Sequence, residues 1–419
     1  MSVPFDLVLA SGSPRRRVML EAAGVRSVVR PVDVAEVPAA GEAPVDFARR
    51  MAVEKAAAGV GARRAEDPRW VLASDTVVTV EGDILGKPAD PDEARAMLRR
   101  LAGRRHQVVT AFALASGAAA PRLGETVSEV TFAPLSEEAL CAYVATGDPL
   151  DKAGAYGVQG GGGALVDAVE GSYDGVVGLP LAEVLEALVE VGALPPFGSP
   201  VAARLAVIRG RIAAAAQAAG RPAASVTLVG ASKAQPVERL TAALDAGLVD
   251  LGENYVQEWR DKAAQLGERP RWHFIGHLQR NKAKHVAGRV HLVHGLDNVA
   301  LGAELARRAS GLPVRALVQV NIGAEDTKSG VEPAALGALL AALADIDGLQ
   351  VDGLMAVPPP DGLAATRRRF AALRMLRDAH ARPDRPLASL SIGMSDDFPA
   401  AIAEGATHVR VGTALFGQR

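Results

Sequence analysis

Cysteine is nearly absent from this sequence: Cys141 stands alone among 419 residues. No internal disulfide can form, which fits a reducing compartment. A basic excess is absent too. The formal charge is −2, so the chain carries no electrostatic footprint for nucleic acid. No uncharged apolar run approaches the roughly 18 residues of a membrane-spanning helix. The start, Met1-Ser-Val-Pro-Phe-Asp6, lacks the basic stretch and apolar core of a signal peptide. These shortages predict a soluble, cytoplasmic chain that meets small molecules, with no nucleic acid and no membrane among its partners. Whether it forms a homodimer stays open.

Lysine is scarce in a more informative way. Of 46 basic residues, eight are lysines and 38 are arginines. Ordinary surface charge is met with arginine. A lysine retained in such a chain points to work that a guanidinium cannot do, such as forming a Schiff base or placing a compact point charge.

What is present divides in two. The length exceeds one core, since domains usually hold ~100–200 residues. A hydrophobic fraction of 49% is enough for two. Gly192-Ala-Leu-Pro-Pro-Phe-Gly-Ser-Pro200 concentrates helix-breaking residues between two amphipathic segments. Residues 1–194 and 201–419 are therefore expected to be separate α/β modules joined by a linker over 195–200. That linker has no apolar stripe, which predicts modules that work independently.

In the first module, Phe5–Ala10 reads as a buried strand. Ser11-Gly-Ser-Pro-Arg-Arg-Arg17 then opens a helix at proline with arginines in its first turn. Arginines are at the wrong end for the helix dipole. Free backbone N–H groups, hydroxyls and guanidinium forks make an anion site there, with a capped helix and solvated arginines as the alternative. Asp75 interrupts the apolar run Trp70–Val80, where a carboxylate is costly unless paired, hydrogen-bonded or metal-bound. It is a general base, a metal ligand, or the partner of a buried arginine. Lys87 follows in a Gly/Pro-fixed loop, and Lys55 lies on a helix over 45–59 that also reads as a solvated face. His106 reads as structural. Asp151–Gly163 is a glycine-rich loop carrying Lys152, Tyr156 and Gln159, where backbone can approach a ligand closely.

Leu9-Ala-Ser-Gly-Ser-Pro-Arg-Arg16, Ser74-Asp-Thr-Val-Val78, Gly86-Lys-Pro88, Asp151-Lys-Ala-Gly-Ala-Tyr-Gly157 and Gly171-Ser-Tyr…Val-Val-Gly-Leu-Pro180 resemble, in order, the Maf family of nucleoside triphosphate pyrophosphatases. The resemblance covers about residues 4–192. It implies an α/β domain with a mixed sheet that splits the triphosphate between its α- and β-phosphates with a divalent cation, Mg or Mn. Asp75 then matches the proton acceptor. Arg15, Thr76 and Gln159 match positions tied to base choice, in a combination similar to the dTTP/UTP group. Ser11, Arg15, Arg16, Lys55 and Lys87 are expected to bind substrate, and Glu36 with Asp75 to hold the metal. Phosphoryl transfer needs positioned charge more than covalent help, which agrees. The plain run Gly160–Gly163 departs mildly from the family pattern.

In the second module, strand-like and helical segments alternate eight times, which predicts a parallel (β/α)8 barrel. Such barrels place their sites at the carboxyl ends of the strands. There the sequence sets Gly230-Ala-Ser-Lys233, Gly252-Glu-Asn-Tyr255, His273-Phe-Ile-Gly-His277, Ser391-Ile-Gly-Met-Ser395 and Arg410-Val-Gly-Thr413. The last two suit a phosphate, and Lys233 can reach an aldehyde across the mouth, a pyridoxal phosphate geometry. Gly276 argues against His273 and His277 sharing a helix face as a metal pair. Arg280, Lys282, Lys284 and Arg289 read as a solvated basic face.

Leu228-Val-Gly-Ala-Ser-Lys233, Gly252-Glu-Asn-Tyr255, Trp272–Lys282, Leu390–Asp397 and Val409–Gly417 resemble the YggS/PROSC-like pyridoxal phosphate homeostasis proteins. The resemblance implies a TIM barrel like the N-terminal domain of alanine racemase, with Lys233 as Schiff-base lysine and Asn254, Ser395, Arg410, Gly412 and Thr413 around the cofactor. It implies cofactor binding and supply without turnover. Arg410 at the pyridine nitrogen would weaken the ring as an electron sink. The sequence stops two residues past Gly417, so no second domain is expected to supply an opposing acid/base group. The competing reading joins a nucleotide-sensing regulator of septum formation to an amino-acid racemase.

Overall fold

A computed structural model of the protein describes residues 6–117, 119–309, 311–323, 329–359 and 361–417. It divides into two compact units. One comprises residues 1–197, 206–221 and 362–364, and the other residues 198–205, 222–361 and 365–419.

Among the described residues, the first unit is built on seven strands: β1 (Leu7–Leu9), β2 (Ser27–Val29), β3 (Val71–Val80), β4 (Asp83–Leu85), β5 (Arg105–Ala115), β6 (Arg122–Phe132) and β7 (Val166–Glu170). They form one mixed sheet in the order β2-β1-β3-β5-β6-β7, with β4 added to β3. β1 runs parallel to β2 and β3, and the other pairs are antiparallel. The β3–β4 hairpin turns on Glu81 and Gly82, both at positive φ (55° and 90°), the mirror-image turn that matches strand twist.

Alternation along β3 decides what each face buries. Val71, Ala73 and Val77 pack under Phe47, Ala48 and Met51 of α2 (Pro44–Gly61). Leu72 faces the other way, with Leu7, Leu9 and Met19 of α1 (Pro14–Ala22) and with Val184, Leu185 and Leu188 of a later helix over 181–190. Further along the sheet, Val78, Val80, Val108 and Val130 meet Leu98 and Leu101 of α3 (Pro91–Leu101) and Leu140 of α4 (Glu137–Ala145). α3 begins where the Asp90 side chain accepts from Glu93 N, and α4 where Ser136 accepts from Ala139 N. α1 starts at Pro14, as the sequence pattern predicts, so all three arginines fall inside its first turn and a half. α5 (Tyr173–Val177) and α6 (Leu181–Glu190) close the unit, and α7 (Pro200–Ala218) follows the proline-rich stretch. Its residues from Ala206 onward group with the first unit.

The second unit closes a parallel barrel of eight strands among the described residues: β8 (Thr227–Ala231), β9 (Asp250–Glu253), β10 (Arg271–Phe274), β11 (Leu292–Leu296), β12 (Val314–Gln319), β13 (Leu349–Met355), β14 (Ser389–Ser391) and β15 (His408–Val411). β15 pairs with β8 to close the ring, Arg410 lying beside Val229. The barrel order is the one that the strand–helix alternation predicts. The intervening helices are α8 (Val237–Asp245), α9 (Val256–Leu266), α10 (Ala283–Val286), α11 (Val299–Arg308), α12 (Leu336–Ala344), α13 (Leu363–His380), α14 (Phe398–Ala403) and α15 (Thr413–Phe416). The basic segment after β10 forms a 3-10 turn at Arg280–Lys282 followed by the single turn of α10. At Gly353 a Cβ would lie 1.8 Å from Ser389 O, so only glycine lets β13 approach β14 there. No helix of the described residues is long and apolar enough to cross a membrane.

Candidate functional site

In the first unit, Arg16 turns back from α1 and ties three segments together. Its Nε donates to Gly178 O (2.8 Å), Nη1 to Ser11 Oγ (3.0 Å) and Nη2 to Thr76 Oγ1 (3.5 Å). Ser74 Oγ donates to the same Gly178 carbonyl, and Thr110 Oγ1 donates to Gly175 O while lying 2.9 Å from Thr76 Oγ1. Ser11, Arg16 and Thr76 are thus brought together with the motif over 171–180. Burial works to lower the Arg16 guanidinium, and the Asp75 carboxylate opposes that shift.

Asp75 precedes Thr76 on β3, so alternation sends its side chain to the opposite face, towards α2. There Lys55 Nζ donates to Asp75 Oδ1 (2.5 Å) and to Glu36 Oε1 (2.6 Å). Lys87 Nζ lies 3.5 Å from Glu36 Oε2. The buried aspartate is paired with a lysine, whereas the sequence had left an arginine open. Lys55 and Asp75 are buried, and Lys87 is exposed. Burial acts to raise Glu36, yet hydrogen bonding and charge from Lys55, then Lys87, hold it below the ordinary carboxylate value.

This donor set fits a hard divalent cation of the magnesium type. Such ions are often held by one or two carboxylates, with water and substrate phosphates completing the shell. Among the described residues there is no cluster of three or more His, Cys, Asp or Glu side chains that would cage a metal alone. Glu36 and Asp75 supply a partial set, the kind that suits a metal arriving with a nucleotide.

The glycine-rich loop folds on itself. Lys152 Nζ donates to Asp148 O (2.5 Å), Asp148 Oδ1 (2.9 Å) and Asp151 Oδ1 (2.6 Å). Tyr143 OH donates to Asp148 Oδ2 and accepts from Gly157 N. A Cβ at Gly162 would sit 2.3 Å from Gly157 O, so that position has no room for a side chain. Burial acts to raise Asp151, but Lys152 and, more weakly, Arg15 bring it below its ordinary value, so Arg15 lies within electrostatic reach of this loop. Gln159 is the informative residue. Both polar atoms of its amide are buried and make no hydrogen bond among the described residues. An unsatisfied buried amide is expensive, and a ligand that pairs with it removes the cost. His106 is structural: its Nε2 lies 2.7 Å from Tyr156 OH and its ring packs edge-on to Phe132.

In the second unit, Lys233 is half-buried just past β8. The residues on either side are held by a buried network. Ser232 Oγ lies 2.7 Å from Glu253 Oε1, and Lys262 Nζ donates to Ser232 O (2.7 Å), Glu253 Oε1 (2.5 Å) and Glu258 Oε2 (2.9 Å). Glu258 Oε2 also accepts from Ala234 N. Sequence reasoning missed Glu253 and Lys262, although the scarcity of lysine is a signal that singles out Lys262. Asn254 N donates to Glu253 Oε2, and Asn254 Oδ1 is buried with no partner among the described residues. Ser395 Oγ accepts from Ala414 N (3.3 Å), which links the loop after β14 to Gly412 and Thr413 at the start of α15. Arg410 is buried and donates to Ser391 Oγ (2.5 Å) and Ala356 O (3.0 Å). Burial pulls it down to about 10, with Asp397 opposing. The lysine at a strand end, the orphaned Asn254 oxygen and the small-residue loops fit an aldehyde that carries a phosphate. His277 is half-exposed, 3.5 Å from Asp297, whereas His273 is buried inside the barrel, so the two form no pair.

The family model described as Maf-like protein matches residues 6–191, and the one described as Alanine racemase, N-terminal domain, matches residues 204–419. The chain belongs to both families. The dTTP/UTP pyrophosphatase of Geobacter metallireducens is 48% identical over 189 residues, 45% of this chain and 97% of the relative. The pyridoxal phosphate homeostasis protein of Pseudomonas aeruginosa is 45% identical over 226 residues, 53% of this chain and 96% of the relative. Among solved structures, PipY of Synechococcus elongatus without PLP is 37% identical, covering 52% of this chain and 100% of that chain, with a TM-score of 0.48. The mixed sheet is thus a Maf domain and the barrel an alanine racemase N-terminal-like domain.

The barrel domain carries an acid lability that follows from its buried histidines. Burial first, then neighbouring charge, pushes His291 down to about 4, His408 to about 3 and His294 well below its ordinary value. Each is ordinary when unfolded, so below pH ~6.5 the unfolded chain binds more protons than the folded one. Stability is full above that pH and is lost as pH falls, by up to about 1.4 kcal/mol per pH unit for the buried His294 and by less for the part-exposed His291 and His408. The barrel's thermal midpoint should be flat above pH ~7 and drop steeply below ~6. A midpoint unchanged down to pH ~5 would contradict the neutral, buried state of these rings.

Proposed function

We propose that the chain is a bifunctional fusion in the cytoplasm. Residues 1–194 hydrolyse dTTP and UTP to the monophosphate and pyrophosphate, residues 201–419 bind and supply pyridoxal phosphate without turnover, and residues 195–200 join them. The first activity is supported by the dTTP/UTP pyrophosphatase relatives together with the orphaned Gln159 amide. A pyrimidine edge carrying both donor and acceptor groups would satisfy that amide, with Arg15 and Thr76 completing base choice. Ser11, Arg16 and Lys87 would bind phosphate oxygens. Glu36 and Asp75 would hold a divalent cation, which would supply positive charge against the phosphates. Asp75 has one oxygen fixed by Lys55, and its other oxygen, shared between the cation side and the attacking water, would accept the water's proton as the α–β anhydride bond breaks.

In the barrel, Lys233 would hold the cofactor covalently. Ser395, Gly412 and Thr413 would receive its phosphate, and Asn254 would use its unpartnered oxygen at the same mouth. Bound pyridoxal phosphate supplies an electron sink, and Arg410 at the ring nitrogen would weaken it. That favours a carrier over a racemase. The pyridoxal phosphate homeostasis relative supports the same reading.

Two measurements test these assignments. Pyrophosphate release should be faster from dTTP and UTP than from purine triphosphates, and Asp75→Asn should lower it by about 100-fold or more with the fold intact. Equal turnover of GTP would remove the base assignment, and near-normal rates in the variant would move the base elsewhere. Separately, borohydride should trap pyridoxal phosphate on Lys233, and Lys233→Ala should abolish that adduct. An unchanged adduct would place the linkage on another lysine, and alanine racemisation at enzyme-like rates would overturn the carrier reading.

A further inference from the structure

A row of buried polar groups crosses the barrel interior, and neither activity above uses most of it. It begins at Asp250, the first residue of β9, whose Oδ1 lies 2.9 Å from His273 Nε2 on β10. His273 Nδ1 lies 2.9 Å from His294 Nε2 on β11. His294 Nδ1 lies 2.8 Å from Ser391 Oγ at the end of β14. Ser391 Oγ accepts from Arg410 Nη1 on β15. His273, His294 and Ser391 have no exposed surface. His291 and His408 flank the row without joining it, their ring centroids 5.4 and 6.0 Å from that of His273.

The ends of the row set its direction. Arg410 has no acceptor, so it donates. Asp250 is ionised: burial acts to raise it, but hydrogen bonds from His273 and Arg271 bring it down to about 2, so it accepts. His294 stays neutral because burial pushes it well below its ordinary value. The Ser391 hydroxyl, already accepting from Arg410, donates to His294 Nδ1, and one arrangement of the row follows. Arg410 donates to Ser391, the Ser391 hydroxyl to His294 Nδ1, His294 Nε2–H to His273 Nδ1, and His273 Nε2–H to Asp250. Both histidines are then Nε2–H tautomers. The row runs from the buried Arg410 to the buried Asp250 through the Ser391 hydroxyl and two imidazoles. Nearer Arg410, the Asp397 carboxylate accepts from Met394 N (2.6 Å).

We propose that Asp250, His273, His294 and Ser391 are positioning residues that anchor Arg410, fixing its guanidinium where it meets the ring nitrogen of bound pyridoxal phosphate. The proposal rests on the cofactor reading given above. A guanidinium held only by Ala356 O could swing about that bond. The donor chain from Ser391 to Asp250 removes that freedom.

The test uses the full chain. Ser391→Ala removes one hydroxyl, and His294→Gln breaks the row at its centre. Both should still give the borohydride adduct on Lys233, but bind added pyridoxal phosphate about tenfold more weakly, with a displaced absorbance maximum. In wild type without cofactor, 15N spectra should report hydrogen on Nε2 of His273 and of His294, with Nδ1 of His294 accepting. That measurement needs no variant to fold. Folded variants with wild-type affinity and spectrum would overturn the anchor while leaving the cofactor reading in place, as would an Nδ1–H tautomer of His294. A wild type that traps no pyridoxal phosphate on Lys233 would overturn the cofactor reading itself and the anchor role with it.

Discussion

Taking an ammonium out of water costs several kcal/mol unless carboxylates take the place of the lost water. Three of the eight lysines meet that constraint in the same way. Lys55 sits between Glu36 and Asp75, Lys152 between Asp148 and Asp151, and Lys262 between Glu253 and Glu258. In each case the charge centre is compact enough for two carboxylates to close on it. A planar guanidinium spreads its donors over a fork and, as Arg50 does between Glu42 and Glu54, needs a wider gap than the compact ammonium fills. A chain that otherwise chooses arginine has kept lysine at these points. Removing either side of such a pair leaves a buried, uncompensated charge, which is strongly destabilising.

These grips explain how both domains hold their sites still. On α2, Lys55 fixes one oxygen of Asp75 and reaches the Glu36 segment, so the two carboxylates face a common space. On α9, Lys262 reaches the carbonyl of Ser232 and the carboxylate of Glu253, and so sets the ends of β8 and β9 on either side of Lys233 and Asn254. Arg410 follows a different rule. Its direct partners, Ser391 and Ala356, are neutral, and the carboxylate that acts on it is Asp397.

The architecture was largely legible because alternation and periodicity are local signals. Eight strand–helix alternations gave the barrel order, and Asp75 in an apolar run announced a buried carboxylate before its partner was known. The rest was not local. His294 meets Ser391 97 residues away, and Arg16 meets Gly178 162 residues away, separations at which no sequence period operates. Adjacency also misled: Asp75 and Thr76 are neighbours in sequence, but strand alternation sends them to opposite faces. His273 and His277 look like a pair at helical spacing, yet one is sealed in the barrel and the other is half-exposed. Lys262 was within reach of the lysine argument, but nothing in its own segment, Trp259–Leu266, distinguishes it from a solvated helix face.

The claim that compact lysine charge, rather than positive charge alone, holds the first site is tested most directly by pyrophosphate release from dTTP in Lys55→Arg. The charge is kept, but the guanidinium cannot occupy the gap between Glu36 and Asp75. The rate should fall by about 100-fold while the folded domain persists. A Lys55→Arg chain that turns over dTTP at the wild-type rate would contradict the account.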